Sequence, residues 1–181
     1  MNHVRDSLNA KNKYKTKERW VKPLFKKYGY YKTDTLAKDT VIVNVLKQDS
    51  NLIKAAKHQV NYIYEINKAE HEQYPYYNGI KVEVDTILKT LIDREKYFKT
   101  NLKSEICLQT GYGYKKNGYF IPFRNETEFE IYKFFSKTIV NLYLSSKGHR
   151  ELLLHPRYKL TGIATVESKD GYNIFNTIVF D

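Results

Sequence analysis

Residues 145–167 read SSKGHRELLLHPRYKLTGIATVE. A helix-like run breaks at Gly148-His149-Arg150, resumes through Leu152–Leu154, meets Pro156 and passes into a β-like run. The junction has two readings. In one it is a plain helix end: Gly148 relaxes the backbone, and His149 and Arg150 sit on the negative pole of the helix dipole. In the other the three residues carry a role that this stretch alone does not show. The residues to either side bear on the choice.

Downstream, LTGIATVE (160–167) and YNIFNTIVF (172–180) are rich in β-branched and aromatic residues, and Ser168-Lys169-Asp170-Gly171 joins them. Asp-Gly between two such runs signals a hairpin. Upstream, Asn125 and Glu128 form a capping-box pattern, and Tyr132, Phe135, Ile139 and Leu142 follow at heptad-like spacing, which predicts a helix. GYGYKKNGYFIPF (111–123) carries three glycines and reads as a loop or hairpin. SEICLQT (104–110) reads as a short strand. Val84 to Phe98 is a helix candidate with Ile87, Leu88, Leu91 and Ile92 apolar. YPYYNG (74–79) is loop-like. The strongest helix runs from about Asn51 to Ala69, where Leu52, Ala56, Val60, Ile63 and Ile66 share one face and Asp49 or Ser50 caps the start. Helices first and a closing antiparallel hairpin make the class α+β.

The 181 residues suffice for one domain with a real core, and no repeat or Gly/Ser linker divides them. No run of about 18 apolar residues exists to span a membrane. The start, MNHVRDSLNAKNKYK, is polar and basic without an apolar signal core, which leaves a cytosolic chain or one whose signal has been removed. The lone cysteine, Cys107, excludes an intramolecular disulfide and a Cys-based zinc site, and it reads as a buried small hydrophobe. The net charge of +11 is uneven: residues 1–40 hold 11 Lys/Arg against 4 Asp/Glu. There Lys13, Lys15, Lys17, Arg19, Lys22, Lys26 and Lys27 are interleaved with Tyr14, Trp20, Phe25 and Tyr28. Such a mix suits an anionic surface such as phospholipid headgroups, an acidic wall polymer or, as the least favoured partner, nucleic acid. A solvated lysine-rich helical face is the plainer reading. The helical pattern is interrupted at Tyr28-Gly29-Tyr30. The expected division is a basic, partly helical extension over 1–44 and a domain over 45–181.

The order of these parts resembles the CAP superfamily (cysteine-rich secretory, antigen 5 and pathogenesis-related 1 proteins; SCP-like) in its disulfide-free bacterial branch. LKQDSNLIKAAKHQVNYI resembles that family's first helix, with Leu46, Asp49, Leu52, Ala55 and Ala56 in register. HEQYPYYNG resembles its histidine-bearing loop, Ser104-Glu105-Ile106 its glutamate-bearing strand, and Ser146-Lys147-Gly148-His149-Arg150 its Ser-Pro-Gly-His-Arg corner. Thr161-Gly162-Ile163 and Val179-Phe180 resemble its last two strands. The likeness covers Leu46 to Asp181. Cys107 stands where the family has asparagine, Lys147 where it has proline and Tyr143 where it has tryptophan. The family's second acidic pocket residue has no match; Lys137 or Ser146 occupies that neighbourhood.

The resemblance implies a three-layer α-β-α sandwich with a mainly antiparallel central sheet. It also implies a secreted or cell-envelope module with a groove lined by His71, Glu105 and His149. Such a module binds a lipid, glycan or protein partner without catalysis. Two imidazoles and one carboxylate suit a divalent metal such as zinc, and they equally suit a metal-free hydrogen-bonded cluster. With metal, the same residues suit a metal-dependent hydrolase. Of the other histidines, His58 is expected on an exposed helix face and His155 in a loop. His71-Glu72 lacks the second histidine of a zincin motif, and no Gly-x-Ser-x-Gly elbow supports a serine hydrolase. Seventeen tyrosines, clustered at Tyr74, Tyr76, Tyr77 and at Tyr112, Tyr114, Tyr119, suit glycan or lipid contact, although ordinary surface and core placement is slightly preferred.

Overall fold

The computed structural model describes residues 46–111, 113–116, 119–122 and 138–181. Helix α1 spans Ser50–Ile66. Asp49 is its cap: the carboxylate Oδ1 accepts the Asn51 and Leu52 N–H groups, each at 2.9 Å, so two of the free donors of the first turn are satisfied. The helix stops at Ile66, short of Ala69. Asn67 takes a left-handed φ of 52°, and the Lys68 N–H returns to the Ile63 carbonyl at 3.1 Å.

The central sheet follows from four strands, ordered β1(Lys47–Gln48), β7(Leu160–Glu167), β8(Asn173–Phe180) and β4(Ser104–Gly111). β1 runs parallel to β7, and the other pairings are antiparallel. The Ser168–Gly171 turn joins β7 to β8, as the Asp-Gly signal implied, with Gly171 at φ 72°. β8 is apolar on both faces because both are covered. Phe175 and Val179 pack with Ala164 against Leu52, Ala55, Ala56, Val60 and Ile63 of α1. Ile174, Ile178 and Phe180 pack with Ile106 against Ile139, Tyr143 and Leu153. The last two belong to short helices α3(Val140–Ser145) and α4(Lys147–Leu153). Helix, sheet and helix therefore form three layers of an α+β domain. Helix α2(Leu91–Phe98) packs beside α1. Two small antiparallel ribbons, β2(Tyr76–Tyr77) with β3(Ile80–Lys81) and β5(Gly113–Lys116) with β6(Tyr119–Pro122), complete the described elements.

Several expectations need correction. The helix expected over 84–98 begins only at Leu91, where Thr90 and Asp93 close a reciprocal capping box. Before it, the Leu88 N–H and Lys89 carbonyl are taken by the side chain and backbone of Gln73, so those groups cannot join a helix ladder. YPYYNG is not a plain loop: Asn78 and Gly79, at φ 50° and 79°, turn β2 into β3. The break near residue 148 lies at Ser146, with extended φ −81° and ψ 126°, and Gly148, His149 and Arg150 sit inside α4. A Cβ on Gly148 would meet nothing within 4 Å, so no close approach demands glycine there. Gly162 is the glycine under demand: its Cβ would fall 2.1 Å from the Leu52 carbonyl carbon, where β7 passes under the first turn of α1. Arg150 does meet a helix end, donating from Nη1 to the Leu144 carbonyl at 2.6 Å. Residues 1–45, which include the basic segment, and Asn125, Glu128, Tyr132, Phe135 and Lys137 lie outside the described residues.

Candidate functional site

The segment after α1 is held by two glutamines buried to 0% exposure, Gln59 and Gln73. The Gln59 amide donates to the Glu70 and His71 carbonyls at 2.6 and 3.5 Å. The Gln73 amide donates to Gln59 Oε1 at 2.8 Å and to His58 Nδ1 at 3.1 Å, while its oxygen accepts from the Leu88 N–H at 2.9 Å. His58 completes the network by donating from Nε2 to the Thr86 carbonyl at 2.9 Å. His58 is thus half-buried, which corrects the exposed placement expected for it. Such a satisfied buried network fixes the loop in one geometry.

That loop delivers His71 to Glu105. Glu105 is the second residue of β4, in register with Val179 under α1, and its side chain is 3% exposed. His71 donates from Nδ1 to Glu105 Oε1 at 3.1 Å. Because an ionised carboxylate only accepts, this bond places the proton on Nδ1 and leaves Nε2 as the free basic nitrogen. The imidazole side chain is 56% exposed, so the cluster is reachable from solvent.

Arg94 comes to the same carboxylate from α2, and its side chain is 1% exposed. Its Nη2 lies 3.0 and 3.1 Å from the two Glu105 oxygens and also donates to the His71 carbonyl at 3.1 Å. Its Nη1 donates to the Leu88 carbonyl at 3.1 Å. One guanidinium therefore joins α2, the His71 loop and β4.

His149, on α4, lies edge-on to the buried Tyr143 ring at 5.3 Å between centroids. Tyr143 is held in turn, its hydroxyl donating to Asn176 Oδ1 at 2.6 Å, and Asn176 donates to the Ala164 carbonyl and Thr165 hydroxyl on β7. The Glu105 hydrogen bond raises the His71 pKa above its ordinary 6.5 against the opposing effect of burial. Burial lowers the pKa of His149, and the charge of nearby His71 lowers it further. Burial is also the main cause that lowers His58.

The stabilisation from His71 is full below its unfolded value near 6.5 and is lost as pH rises through the higher folded value. His58 and His149 do the opposite: their contribution is present above 6.5 and is lost as pH falls toward their lower folded values. Imidazole resonances followed by NMR should therefore titrate with His71 above 6.5 and both others below it. A His71 that titrates below His149 would show that the Glu105 bond is absent in solution.

Among the described residues, the ligating atoms that come within 4.8 Å of one another belong to His71, Glu105 and Cys107; His149 is not in that trio. This donor set does not fit a divalent cation. Both Glu105 oxygens are engaged by a guanidinium that stays charged at any biological pH. Cys107 is buried beside Thr177 and burial pushes its thiol well up, so it remains a protonated small hydrophobe.

Arg94 and the two glutamines belong to no motif of the sequence. Gln59 does fall in helical register with Ala55, Ala56 and Ile63, and Arg94 with Leu91 and Phe98. A polar residue inside an apolar register is the signal that could have found them. Lys13, Lys15, Lys17, Arg19, Lys22, Lys26 and Lys27 lie outside the described residues.

No family model matches the chain, and no curated protein matches it. Among solved structures it is similar to an outer surface protein from Borrelia burgdorferi, at 16% identity over 77% of this chain and 79% of that one, with a TM-score of 0.48. It is also similar to an extracellular protein containing a SCP domain from Bacillus anthracis, at 16% identity over 75% of this chain and 34% of that one, with a TM-score of 0.43.

Proposed function

We propose that the chain is a non-catalytic binding module of the CAP type, acting in the extracellular space or cell envelope. A lipid, glycan or protein partner docks beside His71, Glu105 and His149. The observation that carries this reading is the commitment of Glu105. Its carboxylate is buried and both its oxygens are held by Arg94 and His71, so neither is left turned toward a water. The same commitment disfavours the metal-dependent hydrolase. What remains for a partner is an open imidazole on His71, a half-buried one on His149 and aromatic surface nearby in sequence to His71: Tyr74 is 40% exposed and Tyr76 is 62%. Such rings offer an apolar face and a polar tip. No helix among the described residues is long and apolar enough to cross a membrane, and a net charge of +11 favours an anionic envelope surface.

NMR of the His71 and His149 side chains, during titration with short-chain anionic lipid or soluble wall glycan, tests the reading. One ligand class should shift both imidazoles saturably, and His71→Ala should weaken that binding about tenfold, the equivalent of about 1.4 kcal/mol. Turnover of an ester or peptide substrate that disappears in His71→Ala would contradict it. The second reading, anion binding through Lys13–Lys27, is favoured by the concentration of charge before residue 41. It separates cleanly, because such binding falls steeply with salt and survives His71→Ala.

A further inference from the structure

We propose that the Arg94 guanidinium is the resident cation of the His71–Glu105 cluster, standing where a divalent metal would stand, so that the groove works without metal and gains a metal site only when Arg94 is neutralised. The chemistry is that of one carboxylate shared between two possible cations. Glu105 has a side chain 3% exposed and needs a positive partner. Arg94 supplies it from within the chain, with contacts of 3.0 and 3.1 Å to the two oxygens.

An arriving zinc ion would have to displace Arg94 from those oxygens and His71 Nδ1 from Oε1. It would then sit beside a guanidinium that has nowhere to go. Arg94 is anchored away from Glu105 by the Leu88 carbonyl and near it by the His71 carbonyl, at 3.1 Å each. The capping box of α2, with Thr90 and Asp93 just before it, fixes the helix that carries it. The arrangement differs from a site built for an ion, in which carboxylate oxygen and imidazole nitrogen atoms converge on one point without a competing charge. That ligand binding needs no metal rests on the proposed binding function, whereas the exclusion of metal rests on the Arg94 contacts alone.

The test is zinc titration of the full chain in competition with a chromophoric chelator. The unaltered protein should show no uptake that His71→Ala removes. Arg94→Gln should bind zinc about a hundredfold more tightly or better, the scale set by removing a unit charge a few ångströms from the ion. Zinc should also raise the unfolding midpoint of Arg94→Gln and leave that of the unaltered protein in place. Arg94→Lys keeps the charge and should behave as the unaltered protein, whereas a merely structural role for Arg94 would not divide Lys from Gln in this way. Adding His71→Ala to Arg94→Gln should abolish the gain. Zinc uptake by the unaltered protein that is lost in His71→Ala overturns the proposal. So does a folded Arg94→Gln that takes up no more zinc than the unaltered chain. If Arg94→Gln folds only when zinc is added, by circular dichroism, the proposal stands; if zinc fails to restore it, the proposal falls.

Discussion

Gly162→Ala is expected to cost about 3 kcal/mol or more, because of Gly79, Gly148, Gly162 and Gly171 it alone would put its methyl against backbone atoms. The added carbon would lie 2.1 and 2.2 Å from the Leu52 carbonyl carbon and oxygen and 2.4 Å from the Ile53 nitrogen. All three are backbone atoms, so no side-chain rotation relieves the overlap. The first turn of α1 must lift away from β7. That turn carries the Asp49 cap, the Asp49 N–H to Thr161 carbonyl bond at 3.0 Å and the buried Leu52, with Ala55 in the turn after it. A loss of this size is a large share of the ~5–15 kcal/mol that typically holds a domain together. Gly148→Ala is the control. It adds a methyl in open space within α4, and should be neutral or stabilising by up to about 1 kcal/mol. Urea denaturation of the two variants checks both; equal midpoint shifts would show that α1 does not rest on β7 as described.

The second large effect is at the buried ion pair. Glu105→Leu should cost about 3–5 kcal/mol, because it leaves a guanidinium 1% exposed without its carboxylate. Arg94→Met should cost a similar amount for the converse reason. The double variant should be more stable than either single one, since an apolar pair of similar volume escapes the desolvation of two charges. It will not recover everything, because the bonds from Arg94 to the Leu88 and His71 carbonyls are also lost. Arg94 Nε, buried without a hydrogen-bond partner among the described residues, limits how much the native pair contributes. A double-mutant cycle by chemical denaturation should give a coupling of about 2 kcal/mol or more. Additive costs would mean that the two side chains do not share one environment in solution.

Much of the fold was readable from local pattern. The apolar face Leu52–Ala56–Val60–Ile63 marks α1, Asp49 or Ser50 marks its start, of which Asp49 is the cap, and Asp170-Gly171 marks the turn between β7 and β8. Each signal is contained within a few residues of the element it specifies. The reading failed where distant residues decide. Val84–Leu88 has helical composition, but Gln73 takes the Leu88 N–H and His58 the Thr86 carbonyl from outside. Gly148 stands out through its neighbours, whereas Gly162 matters because a helix far earlier in the chain passes over it. Close approach of that kind leaves no periodicity.

The same distinction governs the site. A family likeness points to His71, Glu105 and His149; His71 and Glu105 meet at 3.1 Å, and His149 lies outside the trio whose ligating atoms converge. Arg94 lies in LIDREKYF, where acidic and basic neighbours read as a solvated helix face. Only its pairing with a strand residue 11 positions later shows it to be buried. His58 likewise reads as a surface residue until Gln73 and Thr86 take its two nitrogens. Charged and polar residues owe their burial to partners, and partners are set by tertiary contact.

Arg94 and His71 share the Glu105 carboxylate, and on the account above that sharing keeps a metal ion out. Diffraction from crystals grown with excess zinc, collected at the zinc absorption edge, tests it most directly. The expected result is Arg94 against both Glu105 oxygens and no anomalous peak between His71 and Glu105. A peak bound to both residues at about 2.0–2.2 Å, with Arg94 turned away, would contradict it.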